Sequence, residues 1–341
     1  MKCVKIESAK KLVPTSIDAP REKNGNVLID VKKCGICGSD IHYWVLGAPK
    51  GLVMGHEFCG VVTNPGSRTD LKVGDRVTAL PISPCGECEP CRTGNPQYCA
   101  KTWDNAVGLS LTYPGAYAEK TALRADLVYR VPSNITDAEV AMVEPSAVAL
   151  HAVNLANLKI GSKVLVIGAG IIGQLTAMFA KMNGASYVAV SEANPKRGEK
   201  AVKLGVADEY FYALDQDWVK NVRKECPEGY DYVFDCCGNS PAVSSGIMAA
   251  KQGGTMVLVG VSMDSITIPS ILVVTKEMTL KGAIAYTPKE FKQCIDLMAD
   301  RKIDTLKFVD DIVGLEGVQH AFERLTSGDD NAIKILIDPS L

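Results

Sequence analysis

The segment Lys163-Val-Leu-Val-Ile167 runs directly into Gly168-Ala-Gly170-Ile-Ile172-Gly173. A short apolar strand, a G-x-G-x-x-G turn and an opening helix together commit the chain to a strand–helix–strand unit with parallel strands. Gly168 permits the tight turn, Gly170 lets backbone approach a pyrophosphate, and Gly173 lets helix and strand pack closely. The helix start turns the positive end of its dipole toward the phosphates. Glu192 lies nineteen residues past Gly173, after the next expected strand at 187–191. A carboxylate there accepts hydrogen bonds from ribose hydroxyls and favours NAD. Lys196 and Arg197 are near enough to receive a 2′-phosphate, so NADP stays possible. Helices at 172–183 and 196–204 and strands at 232–235, 255–259 and 278–281 continue the alternation. Short apolar strands separated by helices predict a doubly wound parallel sheet over 151–284.

Residues 1–150 read differently. Strands are expected at 27–32, after the turn signal Asn24-Gly25, and at 60–63 and 75–80. A lobe at 84–100 interrupts them, and it carries Cys85, Cys88, Cys91 and Cys99 in the spacing C-x2-C-x2-C-x7-C. Four thiolates suit the closed tetrahedral site of a structural zinc ion. A loop of this length needs an internal staple, and the ion supplies one. The chain has twelve cysteines and its first residues lack the apolar core of a secretion signal. A reducing cytosol is therefore expected, with metal ligation rather than disulfides. Residues 285–341, with a helix at 288–300 and a strand at 332–337, are expected to return to the first domain.

The remaining composition mainly excludes partners. The net charge is −2 with a pI near 6.1 and no basic stripe, which argues against nucleic acid. No apolar run reaches the roughly 18 residues that a membrane span needs.

A second set of metal-type residues sits in the first domain: Cys34-Gly-Ile-Cys37-Gly-Ser39-Asp40-Ile-His42, then Gly55-His56-Glu57-Phe-Cys59. Cys, His and carboxylate ligands in a set of fewer than four strong donors leave a zinc ion an open position. Cys37 and His56 are the firmest ligands, with Glu57 or Glu144 as the third. Cys34 and Cys37 could instead form a redox pair, although they lack the strand–helix setting of such motifs. Cys34, Cys59, Cys236, Cys237 and Cys294 are expected as buried structural thiols, and His151 and His320 as structural histidines.

Taken in order, Cys37 to Trp44, Gly55-His56-Glu57, the four-Cys lobe, Glu144-Pro145 and Gly168 to Gly173 resemble the zinc-dependent medium-chain dehydrogenase/reductases. The resemblance spans nearly the whole chain and is closest to the sorbitol (polyol) dehydrogenase branch. It implies a GroES-like β-rich catalytic domain and a Rossmann domain, joined at a cleft. It also implies one catalytic and one structural zinc per subunit, and a homodimer or homotetramer. The apolar run 266–274 is a candidate subunit contact or a piece of core.

In polyol-type members the metal is held by residues matching Cys37, His56 and Glu57. Glu144 stands close by, touching the ion directly or through water, where classical alcohol dehydrogenases place a cysteine. The implied reaction is reversible oxidation of a secondary alcohol to a ketone, with zinc as Lewis acid and hydride passing to nicotinamide. Protons leave through Ser39 and the nicotinamide ribose to His42. Cofactor contacts are implied at Gly168, Gly170, Ile172, Gly173, Glu192, Arg197, Val259, Gly260, Val261 and Ile284. Tyr43, Trp44 and Tyr286 are expected to line the substrate pocket, with Trp103 and Leu109 as further candidates. Sorbitol dehydrogenases usually carry Phe-Arg-Tyr where this chain has Ile284-Ala285-Tyr286, so the pocket departs from theirs. An L-threonine or 2,3-butanediol dehydrogenase remains an alternative. So does a catalytically silent zinc- and nucleotide-binding protein.

Overall fold

A computed structural model describes residues 1–341 as two compact units. The first comprises Met1–Ala147, Tyr286–Ser327 and Lys334–Leu341; the second comprises Val148–Ala285 and Gly328–Ile333. The tail therefore divides. Gly328–Ile333 joins the second unit, where the Asn194 side-chain amide donates to the carbonyls of Gly328 and Asp330, both at 2.9 Å. The expected strand at 332–337 shortens accordingly to Ile335–Ile337.

The first unit is built on a seven-stranded sheet whose centre is the strand Val27–Gly35. Val27, Ile29 and Val31 turn inward while Leu28 and Asp30 are half-buried and Lys32 is exposed, the period-2 pattern of a strand with one wet face. The alternation breaks at Cys34 and Gly35, both buried. There the strand is flanked by antiparallel partners on both sides: Glu57 and Phe58 pair with Gly35 and Cys34, and Leu336 and Ile337 pair with the same two residues. This crossing of three strands sets the metal-type residues side by side. A separate hairpin, Lys2–Ser8 with Lys11–Ser16, and a helix at Val318–Thr326 complete elements that the sequence pattern had not marked.

The second unit has six strands in the order Glu209–Tyr212, Tyr187–Glu192, Lys163–Ile167, Tyr230–Asp235, Ala250–Leu258, Thr279–Gly282. Every neighbouring pair is parallel. Numbered by sequence this is the 3-2-1-4-5-6 order of a dinucleotide-binding sheet, with its switch point between Lys163–Ile167 and Tyr230–Asp235. Val164 to Ile167 and Val188 to Ser191 are buried, as strands covered on both faces must be. The helix Ile171–Met182 buries nine of its twelve residues against them.

Candidate functional site

The metal-type residues of the first unit converge. The ligand atoms of Cys37, His56 and Glu57 all lie within 4.8 Å of one another. Cys37 caps the helix Gly38–Leu46, and its own N–H donates to Asp40 Oδ2 at 3.1 Å. The Tyr117 hydroxyl donates to the same oxygen at 2.6 Å. The other oxygen, Oδ1, stands 3.6 Å from His56 Nδ1. With Nδ1 turned to Asp40, Nε2 is the ring nitrogen left for a metal, the usual division of labour in carboxylate–histidine–zinc arrangements.

Glu57 is held from the far end of the chain. Lys334, fully buried, donates from Nζ to Glu57 Oε2 and to the Ile36 carbonyl, the latter at 3.0 Å. A Cβ on Gly35 would collide with that Glu57 oxygen and come within 2.8 Å of Lys334 Nζ, so only glycine leaves room for the pair. Glu144 is also buried, and its Oε1 accepts from the Tyr286 hydroxyl at 2.9 Å. It adjoins the Cys37–His56–Glu57 group without belonging to it.

The electrostatics favour a cation. Burial pushes the Glu144 carboxyl up to about 7, and burial likewise raises Asp40 and Cys37. Burial by itself would lower His56, but Asp40, Cys37 and Glu144 outweigh it and hold the imidazole well above its ordinary value. Lys334 is raised because Glu57 and Cys37 outweigh its own desolvation. Three carboxyl groups and a thiol thus share a dry pocket with one permanent cation. A divalent ion would relieve that imbalance, and the donor set of thiolate, imidazole and carboxylate suits zinc.

Ser39 begins the same helix, and its Oγ is buried without a hydrogen-bond partner. His42 lies three residues on, on the same helix face, and is half-buried. The Tyr43 hydroxyl reaches the Leu109 carbonyl at 3.5 Å. Trp44 turns inward. It is 4 % exposed and packs on Phe322 with ring centroids 5.7 Å apart. Position 44 turns toward the helix Val318–Thr326. Tyr286 is buried as well, stacked on Phe291, and its contribution is the bond to Glu144. Trp103 is 43 % exposed.

The lobe thiols also converge, with Cys85, Cys88, Cys91 and Cys99 Sγ within 4.8 Å of one another. Cys88 and Cys91 Sγ are 3.4 Å apart and Cys85 and Cys91 Sγ 3.9 Å. Four sulfurs at ~2.3 Å from one zinc would stand about 3.8 Å apart. Backbone amides of Glu87 and Cys88 point at Cys85 Sγ, and those of Cys85 and Lys101 at Cys99 Sγ, each at 3.4 Å. These are donors suited to thiolates.

In the second unit Gly168 has φ +97 and its amide donates to the Ser191 carbonyl at 2.7 Å. A Cβ on Gly173 would collide with the Gly168 carbonyl, whereas nothing lies within 4 Å of a Cβ on Gly170. Gly173 is thus packed, while Gly170 faces open space at the helix start. Ile172 is half-buried in the first turn. Glu192 is oriented by the loop itself: Oε2 accepts from Ala169 N at 2.6 Å and Oε1 from Asn194 N at 2.8 Å. Each oxygen retains a second lone pair for a ribose hydroxyl. The Arg197 amide lies 3.4 Å from Asn194 Oδ1, which caps its helix. Val259 and Gly260 both donate to the Asp235 carbonyl at 2.9 Å, closing the next strand end, while Val261 and Ile284 are exposed.

Cys34, Cys59 and Cys294 are buried. Cys237 is exposed, contrary to expectation, because it follows the strand end beside Gly168, where the sheet opens. His151 is buried, but His320 is a surface residue 3.6 Å from Glu323. Lys334, Asp40 and Tyr117 are the site residues that sequence reasoning missed. One signal was available for Lys334, the single charge within the apolar run 332–337.

Two family models match the chain: "Alcohol dehydrogenase GroES-like domain" over residues 23–133 and "Zinc-binding dehydrogenase" over residues 172–300. The chain is 36 % identical over 324 residues to "Probable D-xylulose reductase A" of Aspergillus clavatus, covering 92 % of this chain and 89 % of that protein. Among solved structures, the 2R,3R-butanediol dehydrogenase from Bacillus subtilis superposes with a TM-score of 0.88 at 30 % identity, covering 99 % of both chains. The alcohol dehydrogenase TADH from Thermus sp. ATN1 does so with a TM-score of 0.90 at 26 % identity, again covering 99 % of both. The chain belongs to the zinc-dependent medium-chain alcohol dehydrogenase family, and it is an oxidoreductase of the alcohol and polyol dehydrogenase type. No helix is long and apolar enough to cross a membrane.

Proposed function

We propose that this chain oxidises one secondary hydroxyl of a polyol or sugar alcohol to the ketone, reversibly and with NAD, in the cytosol. The observation that carries the proposal is the Cys37–His56–Glu57 group with the buried, unpartnered Ser39 Oγ on the adjoining helix turn. Cys37, His56 and Glu57 would hold the catalytic zinc, with Glu144 beside them, and the four lobe cysteines a structural one. The catalytic ion would supply Lewis acidity toward an alcohol oxygen and nicotinamide would accept the hydride. Ser39 takes the hydroxyl proton and passes it outward along its helix face toward His42. Tyr117 holds Asp40, whose other oxygen faces His56 Nδ1 at 3.6 Å, and Tyr286 holds Glu144. The relatives named D-xylulose reductases point to a pentitol and its ketopentose as the substrate pair. The Glu192 carboxylate supports NAD over NADP, since a 2′-phosphate would meet its charge.

The second unit offers a subunit contact. Thr279–Gly282 is the edge strand of the sheet, and the neighbouring helix Ser270–Thr275 leaves Ile271 67 % and Val274 72 % exposed. An unpaired edge beside an apolar face supports a homodimer built on this side.

The test is a rate screen of xylitol, sorbitol, galactitol, L-threonine and 2,3-butanediol with NAD and with NADP. A polyol turned over with NAD is the expected result. No turnover of any polyol, or faster turnover of threonine, refutes the proposal. Ser39→Ala should cut turnover by about 10²–10⁴ with both zinc ions retained; unchanged turnover removes Ser39 from the proton path.

A further inference from the structure

The carbonyls of three consecutive tail residues meet the loop that follows Glu192. The Asn194 side-chain amide donates to Gly328 and Asp330, both at 2.9 Å, and Lys196 Nζ donates to Asp329 at 2.7 Å. All of these residues belong to the second unit. Asn194 is 8 % exposed, and its whole side chain is engaged. Its Oδ1 accepts from the amides of Lys196 at 3.0 Å and Arg197 at 3.4 Å, capping the helix Pro195–Lys203.

The Asn194 side chain is thus committed to the fold, and its effect on the dinucleotide site runs through its backbone. The Asn194 N–H donates to Glu192 Oε1 at 2.8 Å, while Ala169 N of the glycine loop donates to Oε2 at 2.6 Å. Each carboxylate oxygen is therefore oriented by one amide. The Ala169 amide is placed by the glycine turn. The Asn194 amide lies in a short link between a strand end and a helix start, and the tail holds that link in place. The tail also engages Lys196, one of the two cations near enough to receive a 2′-phosphate. Asp329 and Asp330 bring two acidic residues to the same loop.

We propose that the segment Gly328–Asp330 is a specificity element of the dinucleotide site, acting through Asn194 as a positioning residue. By pinning Asn194 it holds the Glu192 carboxylate where two ribose hydroxyls can bond to it. By engaging Lys196 it withholds a cation from a 2′-phosphate. The inference rests on the reading of this site as one for NAD. The effect is reciprocal by linkage: whatever the clamp adds to NADH affinity, bound NADH adds to the clamp.

The experiment is fluorescence titration of NADH and NADPH into the full-length, zinc-loaded chain and into Asn194→Ser. Serine keeps an oxygen to cap the helix and loses both donors to the tail. Each such bond is worth roughly two- to tenfold, so NADH affinity should fall about fivefold or more. NADPH does not use the carboxylate as a hydroxyl acceptor in the same way, and its affinity should change by less than about twofold. Turnover at saturating NAD should stay within about twofold of the parent, because only binding is lost. Hydrogen exchange gives a second measure: NADH should slow exchange of residues 328–333 in the parent, and Asn194→Ser should abolish that slowing.

Unchanged NADH affinity in Asn194→Ser overturns the proposal, and so does an equal loss for both dinucleotides. Tail exchange in the parent that ignores NADH overturns it as well, whether or not the variant folds. A parent that binds NADPH as tightly as NADH refutes the NAD reading and this inference with it. A parent selective for NADH whose selectivity survives Asn194→Ser refutes this inference alone.

Discussion

Replacing Lys334 with Met isolates what the buried ion pair does. Methionine keeps most of the unbranched stem, so little packing is lost, but the counter-charge to Glu57 and the donor to the Ile36 carbonyl disappear. Lys334 and Glu57 are 0 % and 1 % exposed, so water cannot take the lysine's place. Removing one partner of a buried pair costs about 3–5 kcal/mol. Lys334→Met/Glu57→Gln removes both charges and should recover most of that loss, because replacing the whole pair is often close to neutral. The coupling between the two sites should therefore be about 2 kcal/mol or more. Urea unfolding of zinc-stripped protein at pH 7 measures it. A Trp218→Phe background leaves only Trp44 and Trp103, both in the first unit, so fluorescence follows that unit alone. In zinc-loaded protein the cost should shrink, since a divalent charge near Glu57 partly replaces the ammonium. A Lys334→Met variant within about 1 kcal/mol of its parent would refute the reasoning. So would a double variant no more stable than the single one.

The lobe and Glu144 give two further tests. Cys88→Ser should leave one zinc per chain instead of two by metal analysis and make the protein prone to aggregation; two zinc ions in a soluble variant would end the structural-zinc assignment. For Glu144, burial lifts the carboxyl from 4.5 to about 7 in the metal-free chain. A folded value above the unfolded one means that the folded chain holds the proton more tightly. The stabilisation is therefore complete below pH 4.5 and is lost as pH rises to about 7, roughly 3 kcal/mol in all. Glu144→Gln should remove this slope from the urea midpoints of zinc-stripped protein, and parallel curves for the two proteins would show that burial does not control the group.

What the sequence made legible, and what it hid, divides by range. The glycine loop was readable because each requirement is local: Val164 to Ile167 announce a buried strand, and Gly168, Gly170 and Gly173 fall within six residues of one another. The lobe was readable for the same reason, since four thiols in fifteen residues cannot avoid one another. The packing of Trp44 was not legible, because its ring partner Phe322 sits on a helix far away in sequence, among the buried residues Val318, Ala321 and Phe322. Lys334 reaches Glu57 across 277 residues, and Tyr117 reaches Asp40 across 77. No spacing rule operates over such separations. Only the pairing of both Glu57–Asn64 and Ile335–Ile337 with the end of Val27–Gly35 brings these groups together. A metal ligand can be recognised from its neighbours in sequence because coordination needs a specific atom type at short spacing. The groups that set the charge around it need only be close in space, and any element that the fold carries to that point can provide them. Lys334 is the case in which this matters, because the charge it brings to Glu57 helps to decide how strongly that carboxylate can bind a metal.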